Sequence, residues 1–132
     1  MLETEHKSYP FQNLLVVDAQ GSLDLEASKR MLRGIAADPQ FDYQTELLLD
    51  LRDVDCSMST LDVYEIASLL AWPNPALPTR RKIAVLVKPG PGFDNAAFLE
   101  MCTSNSGIRL AAFNDYDKAS EWLSAEVPPD AK

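Results

Sequence analysis

The sequence is poor in the residues and motifs from which most chemistry is recognised. It holds a single histidine, His6, in an N-terminal stretch expected to be mobile, so neither a Cys-His pair nor a Ser-His-acid arrangement has a well-placed base. No GxxxxGK[ST] loop or GxGxxG turn is present, and paired-cysteine metal spacing is missing. The two cysteines, Cys56 and Cys102, are expected to stay reduced in a chain with a sufficient core and no export signal. Positive charge is scarce as well. Twelve Lys and Arg face twenty Asp and Glu, a formal net charge of -8, which opposes attraction to a phosphate backbone and argues against a nucleic-acid partner. The opening MLETEHKSYP carries acids and a histidine instead of a basic start followed by a long apolar run. Neither a secretory signal nor a transmembrane helix is read there, and the expectation is a cytoplasmic protein without integral membrane association.

What the sequence does have is apolar content in an alternating order. Its 132 residues, 46% of them apolar, fit a single α/β domain over residues 1–124, followed by a polar, proline-broken tail at 125–132 expected to be flexible. Leu14–Ala19, LLVVDA, reads as a strand whose end is punctuated by Gly21. Asp24 caps a helix in which Leu25, Met31, Leu32 and Ile35 recur until Asp38-Pro39 stops it. Leu47–Leu51 is the next strand, and Leu61, Tyr64, Ala67, Leu70 and Ala71 mark one face of a second helix ending near Trp72-Pro73. The prolines of WPNPALPT make a stiff connection. Ile83–Val87 is a strand, Phe93, Ala97, Met101 and Ser104 define a helix that Gly107 ends, and Ile108–Phe113 is the last strand. Asp115 then caps a short helix carrying Ala119, Trp122 and Leu123. A weaker strand signal around Lys7–Gln12 would add an antiparallel N-terminal edge. The pattern predicts a single, largely parallel sheet packed against about four helices.

Two families compete for this pattern. LLVVDA, LLLDLR and LVKPG suggest, in isolation, the acidic pocket, phosphoacceptor strand and Lys-Pro turn of a response-regulator receiver. The spacing rejects them, because only one helix fits between Asp18 and Asp50, and Ala19 stands where a second acid would complete a magnesium pair. In contrast, GSLDLEA, LLLDLRDVD, RRKIAVLV and the closing AAFNDYDKASEWL together resemble the STAS-like group related to the anti-sigma factor antagonist SpoIIAA, over nearly the whole chain. The resemblance implies the STAS-like (SpoIIAA-like) α/β fold and a non-enzymatic regulatory protein-interaction module. Where the best-known members carry an Asp-Ser-Ser-Gly phosphorylation site, this sequence has Met58-Ser59-Thr60-Leu61. Ser59, Thr60 and the nearby Ser57 are therefore the candidate phosphoacceptors, although the flanking acid and glycine are replaced.

The residues themselves allow plainer readings. A helix start stabilises a phosphate through free amides and its dipole, yet Ser59-x-x-Asp62 also has the spacing of a capping box, which explains the serine without modification. Arg80 and Arg81, with Lys82, form the basic cluster of the chain and are candidates for a partner or anionic-ligand surface; local ion pairing at a strand entrance is the alternative. Asp50, Asp53 and Asp55 do not share one side of an extended segment, and Arg52 sits among them as an ion-pair partner, so no metal is expected. No cofactor is expected either. Cys102 is read as a small buried hydrophobe. The second functional reading is a small-ligand or lipid-binding domain with a pocket near the Trp72 loop, ASLLAWPNPAL, holding a small apolar ligand. The expected partner is otherwise a protein or a second copy of the chain.

Overall fold

The computed structural model describes residues 2–42, 44–70, 82–104 and 108–124. Its elements follow in the order β1 (Glu3–Tyr9), β2 (Leu14–Leu23), α1 (Leu25–Ala36), β3 (Glu46–Cys56), α2 (Thr60–Leu70), β4 (Lys82–Leu86), α3 (Pro91–Thr103), β5 (Arg109–Phe113) and α4 (Tyr116–Ser124). The five strands form one sheet in sequence order, with β1 antiparallel to β2 and the remaining neighbours parallel. The alternation read from the sequence is therefore present, and the weak N-terminal edge strand is real.

Its position differs from the sequence reading. Pro10–Gln12 forms a 3₁₀ turn instead of extending the strand, and Asn13 closes it with φ of 50°. Proline has no amide to give to a ladder, which ends β1 at Tyr9. Because β1 pairs with β2 along its length, His6 lies in a strand and not in a mobile terminus, and its Nδ1 is 2.8 Å from the Asp38 carboxylate. Gly21 likewise does not end β2. It sits inside the strand at φ of 111°, just after the register shift between Asp18 and Gln20, where glycine permits the local kink of an irregular ladder.

Each connecting helix has a local cause. The Asp24 side chain accepts a hydrogen bond from the Ala27 amide at 2.8 Å and so satisfies a free donor at the start of α1. The Asp115 carboxylate does the same for Asp117 and Lys118 at the start of α4. With the strands in sequence order, crossovers of one hand put α1, α2 and α3 on the same face of the sheet. Odd-numbered residues of β2 and β3, such as Val17 and Leu49, meet Ile35, Ile66 and Ala96 there in the main core. The helix α4 has no later strand to return to, and it covers the opposite face over Leu48, Ala84 and Leu86.

Lys82 corrects one expectation. The sequence places it in a basic cluster at a strand entrance, but only 4% of it is exposed. Its Nζ donates to the Trp122 carbonyl at 2.6 Å and lies 5.5 Å from the centre of that indole. A charge at this position anchors α4 to β4. Arg80, Arg81, Trp72 and the 125–132 tail lie outside the described residues, as do the proposed helix end near Trp72-Pro73 and Gly107.

The cap of α1 gives a first prediction. Asp24→Ala should lower the free energy of unfolding by about 1 kcal/mol, measured by urea denaturation, and an unchanged midpoint would contradict the capping role.

Candidate functional site

The segment that leaves β3 and starts α2 is held from three sides. The Ser57 amide donates to the Leu23 carbonyl at 2.9 Å, tying the segment to the end of β2. The Ser28 hydroxyl, on α1, gives its proton to the Asp24 carbonyl at 2.8 Å and places its oxygen 3.3 Å from Met58 Sδ, a packing contact. From α3, Asn95 Nδ2 reaches the Met58 carbonyl at 3.4 Å and Cys56 Sγ at 3.2 Å. The helix then begins with a reciprocal pair: the Asp62 amide donates to Ser59 Oγ, and the Ser59 amide donates to the Asp62 carboxylate, both at 3.1 Å. This is the capping box that the spacing predicted.

Outward from this start, α2 departs from the sequence reading in a way that matters. Its buried residues are Val63, Ile66, Ala67 and Leu70, whereas Leu61 is 80% and Tyr64 60% exposed. The helix carries two apolar stripes, and the face that the spacing marks from Leu61 onward presents its first two members to solvent. The α3 face was misjudged in the same manner, since Met101 and Ala97 are exposed while Ala96 and Thr103 are buried.

Inward from the same segment lies a cavity of about 260 Å³ between the sheet and the three helices. Leu49, Ile66, Leu70, Ile83 and Leu110 line it in an apolar interior, and Asp55, Met58, Lys88 and Asn95 contribute near the ends of β3 and β4. Interiors normally pack without such voids.

No family model matches the chain, and no curated protein matches it. Solved structures do. An anti-sigma factor antagonist from Mycobacterium paratuberculosis superposes with a TM-score of 0.60 at 15% identity, over 95% of this chain and 96% of that one. An uncharacterised DUF3478-family protein with a SpoIIAA-like fold, from Shewanella loihica PV-4, superposes with a TM-score of 0.51 at 15% identity, over 92% and 93%. The chain has a STAS-like, SpoIIAA-like fold.

Within this SpoIIAA-like fold, Ser57, Ser59 and Thr60 are all exposed at the start of α2. Only Ser59 uses its hydroxyl in a hydrogen bond among the described residues. Cys56 and Cys102 are free thiols, each partly buried. Among the described residues no group of three or more acids, histidines or cysteines is arranged to hold a metal, and no helix is long and apolar enough to cross a membrane.

The sequence reading missed one charged cluster. Asp18 and Asp50 are register partners on β2 and β3, so their side chains share the face opposite the cavity. Burial first, and then the Asp50 charge, raise the Asp18 pKa above the ordinary carboxylate value. Burial also works to raise Asp50, but the Arg52 guanidinium and amide outweigh it and hold Asp50 below that value. Arg52 makes a two-pronged contact, Nε to Oδ1 at 3.0 Å and Nη2 to Oδ2 at 2.8 Å. Asp50 therefore ionises first and Asp18 keeps its proton longer. Only the register, which requires knowing that β2 and β3 are neighbours, reveals the pair.

A carboxyl that binds its proton more tightly in the folded chain favours folding below the unfolded pKa and costs stability as pH rises through its folded value. Asp18→Asn should consequently raise the thermal midpoint at pH 7 and leave it near that of the unchanged protein at pH 3. A midpoint lowered at pH 7 would contradict the assignment of strain to Asp18.

Proposed function

We propose that the protein is a non-enzymatic regulatory module that binds a protein partner through the start and outer face of α2. The observation that carries this reading is the exposure of Leu61 and Tyr64, at 80% and 60%, directly after the three exposed hydroxyls. Large apolar side chains grouped on one helix face are what a partner covers. Asp53, Asp55 and Asp62 flank the patch in sequence, while Glu65 is paired with Lys29 at 2.6 Å, so the complementary surface is an apolar socket with a basic rim. The fold shared with an anti-sigma factor antagonist supports the same reading.

Phosphorylation at this helix start is the finer part of the proposal. A phosphate on Ser57 or Thr60 would meet the positive end of α2 and alter the charge shown to the partner. On Ser59 it would stand against the Asp62 carboxylate and break the capping box. Thr60 and Ser57 are thus the better acceptors, and Ser59 serves the helix. A second reading, a domain that binds a small apolar ligand, is favoured by the 260 Å³ cavity. Its lining includes Leu70 and Ile83, near either end of the segment that carries Trp72.

A photocrosslinker at position 64 should yield one discrete protein adduct in cells. The same group at exposed position 121 on α4 should yield none, and Leu61→Glu should abolish the adduct without moving the thermal midpoint. Equal adducts at both positions, or none at 64, would overturn the interaction reading. Phosphosite mapping of protein from the same cells checks the gate: modification is expected at Thr60 or Ser57, and unmodified hydroxyls at 57, 59 and 60 would remove it while leaving the interaction standing.

A further inference from the structure

We infer that the cavity beneath α2 binds an alkyl carboxylate of about eight carbons, and that its occupancy is sensed by the segment from Cys56 to Ser59. The inference rests on the ligand-binding reading above and names the chemical class that this site takes.

The size follows from the void. An apolar cavity of about 150 Å³ accepts a benzene-sized molecule, so 260 Å³ suits about ten non-hydrogen atoms by the same proportion. The interior wall is mainly hydrocarbon, from Leu32, Leu49, Ile66, Ile83, Val85 and Leu110. A polar end has to remain near the ends of β3 and β4, where Lys88 is exposed and has no ion-pair partner among the described residues. The α3 helix begins beside Lys88 at Pro91, and its cap residue Gly90 supplies no side-chain hydrogen bond. Pro91 has no amide to give, so the cation at Lys88, with the amides of Gly92 and Phe93 behind it, selects an anionic head over a neutral one at the end of the apolar cavity. Asp55 and Asp94 flank this region with the opposite sign, which keeps the preference modest.

Met58 connects the cavity to the surface. Its side chain contributes to the cavity lining, packs against the main core and touches the Ser28 hydroxyl, while its carbonyl accepts from Asn95. An alkyl chain in the cavity lies against Met58, the residue just before the capping box of α2, and repacks its flexible side chain around the ligand.

Isothermal titration of the purified protein with octanoate and with 1-octanol tests this without any partner. Octanoate should bind with a Kd below about 1 mM, and up to about fivefold tighter than the alcohol. Lys88→Glu, a surface change, should remove that preference. Ala96→Leu and Val85→Phe, which fill the cavity from opposite walls, should each weaken both ligands in whichever variant retains the native circular dichroism. If the two ligands bind equally, or Lys88→Glu changes nothing, the carboxylate class is overturned and the ligand-binding reading survives. If neither binds, or filling variants that fold bind as well as the original, the cavity is not the site and that reading falls as well.

Discussion

The strand order is the constraint on which the rest depends. In a parallel sheet whose strands follow one another in sequence, every crossover passes over the same face if each has the same hand. Helices α1, α2 and α3 therefore crowd one side of β2 to β5 and leave the other side to α4. Three helices on four strands have to meet each other as well as the sheet, and α2, in the middle, packs against both neighbours. The cavity lies where that three-way packing is incomplete. The middle helix buries Val63, Ile66, Ala67 and Leu70 against the sheet and its neighbours, and the arc left facing outward carries Leu61 and Tyr64.

The junction between β3 and α2 inherits two roles from this arrangement. Leu23, Ser28 and Asn95, from three different elements, hold residues 56–58 in place, and the helix that follows exposes Leu61 and Tyr64. A surface presented by such a junction depends on the packing beneath it. Small shifts in a core pass to the surface because close-packed interiors move between discrete arrangements instead of deforming smoothly.

Much of this was legible in the residues. Asp24, Asp115 and Ser59 announced their caps, and the alternation of short apolar runs with helical spacing gave the order of elements from Leu14 onward. Those signals are local, and the bonds they predict span three or four residues. Most of the failures are non-local, the end of β1 at Pro10 being the local exception. Leu61 and Tyr64 fit a helical period as well as Val63 and Ile66 do, and only the positions of α1 and α3 decide which stripe is buried. Lys82 looked like a surface cation until Trp122, forty residues later, came to lie over it. The strand containing His6 is stabilised by its pairing with β2 more than by its own composition. Asp18 and Asp50 became a pair only through the register of two strands, and no spacing along the chain reports a cavity.

The claim that joins these parts is that the cavity and the start of α2 are coupled through Met58. Amide hydrogen exchange with and without saturating octanoate measures it directly, residue by residue. The account predicts altered exchange at Ser59, Asp62 and Val63, with unchanged exchange at Ala119 and Leu123 on the far side of the sheet. Unaltered exchange at the helix start under demonstrated saturation, or an equal change on both faces, would contradict it.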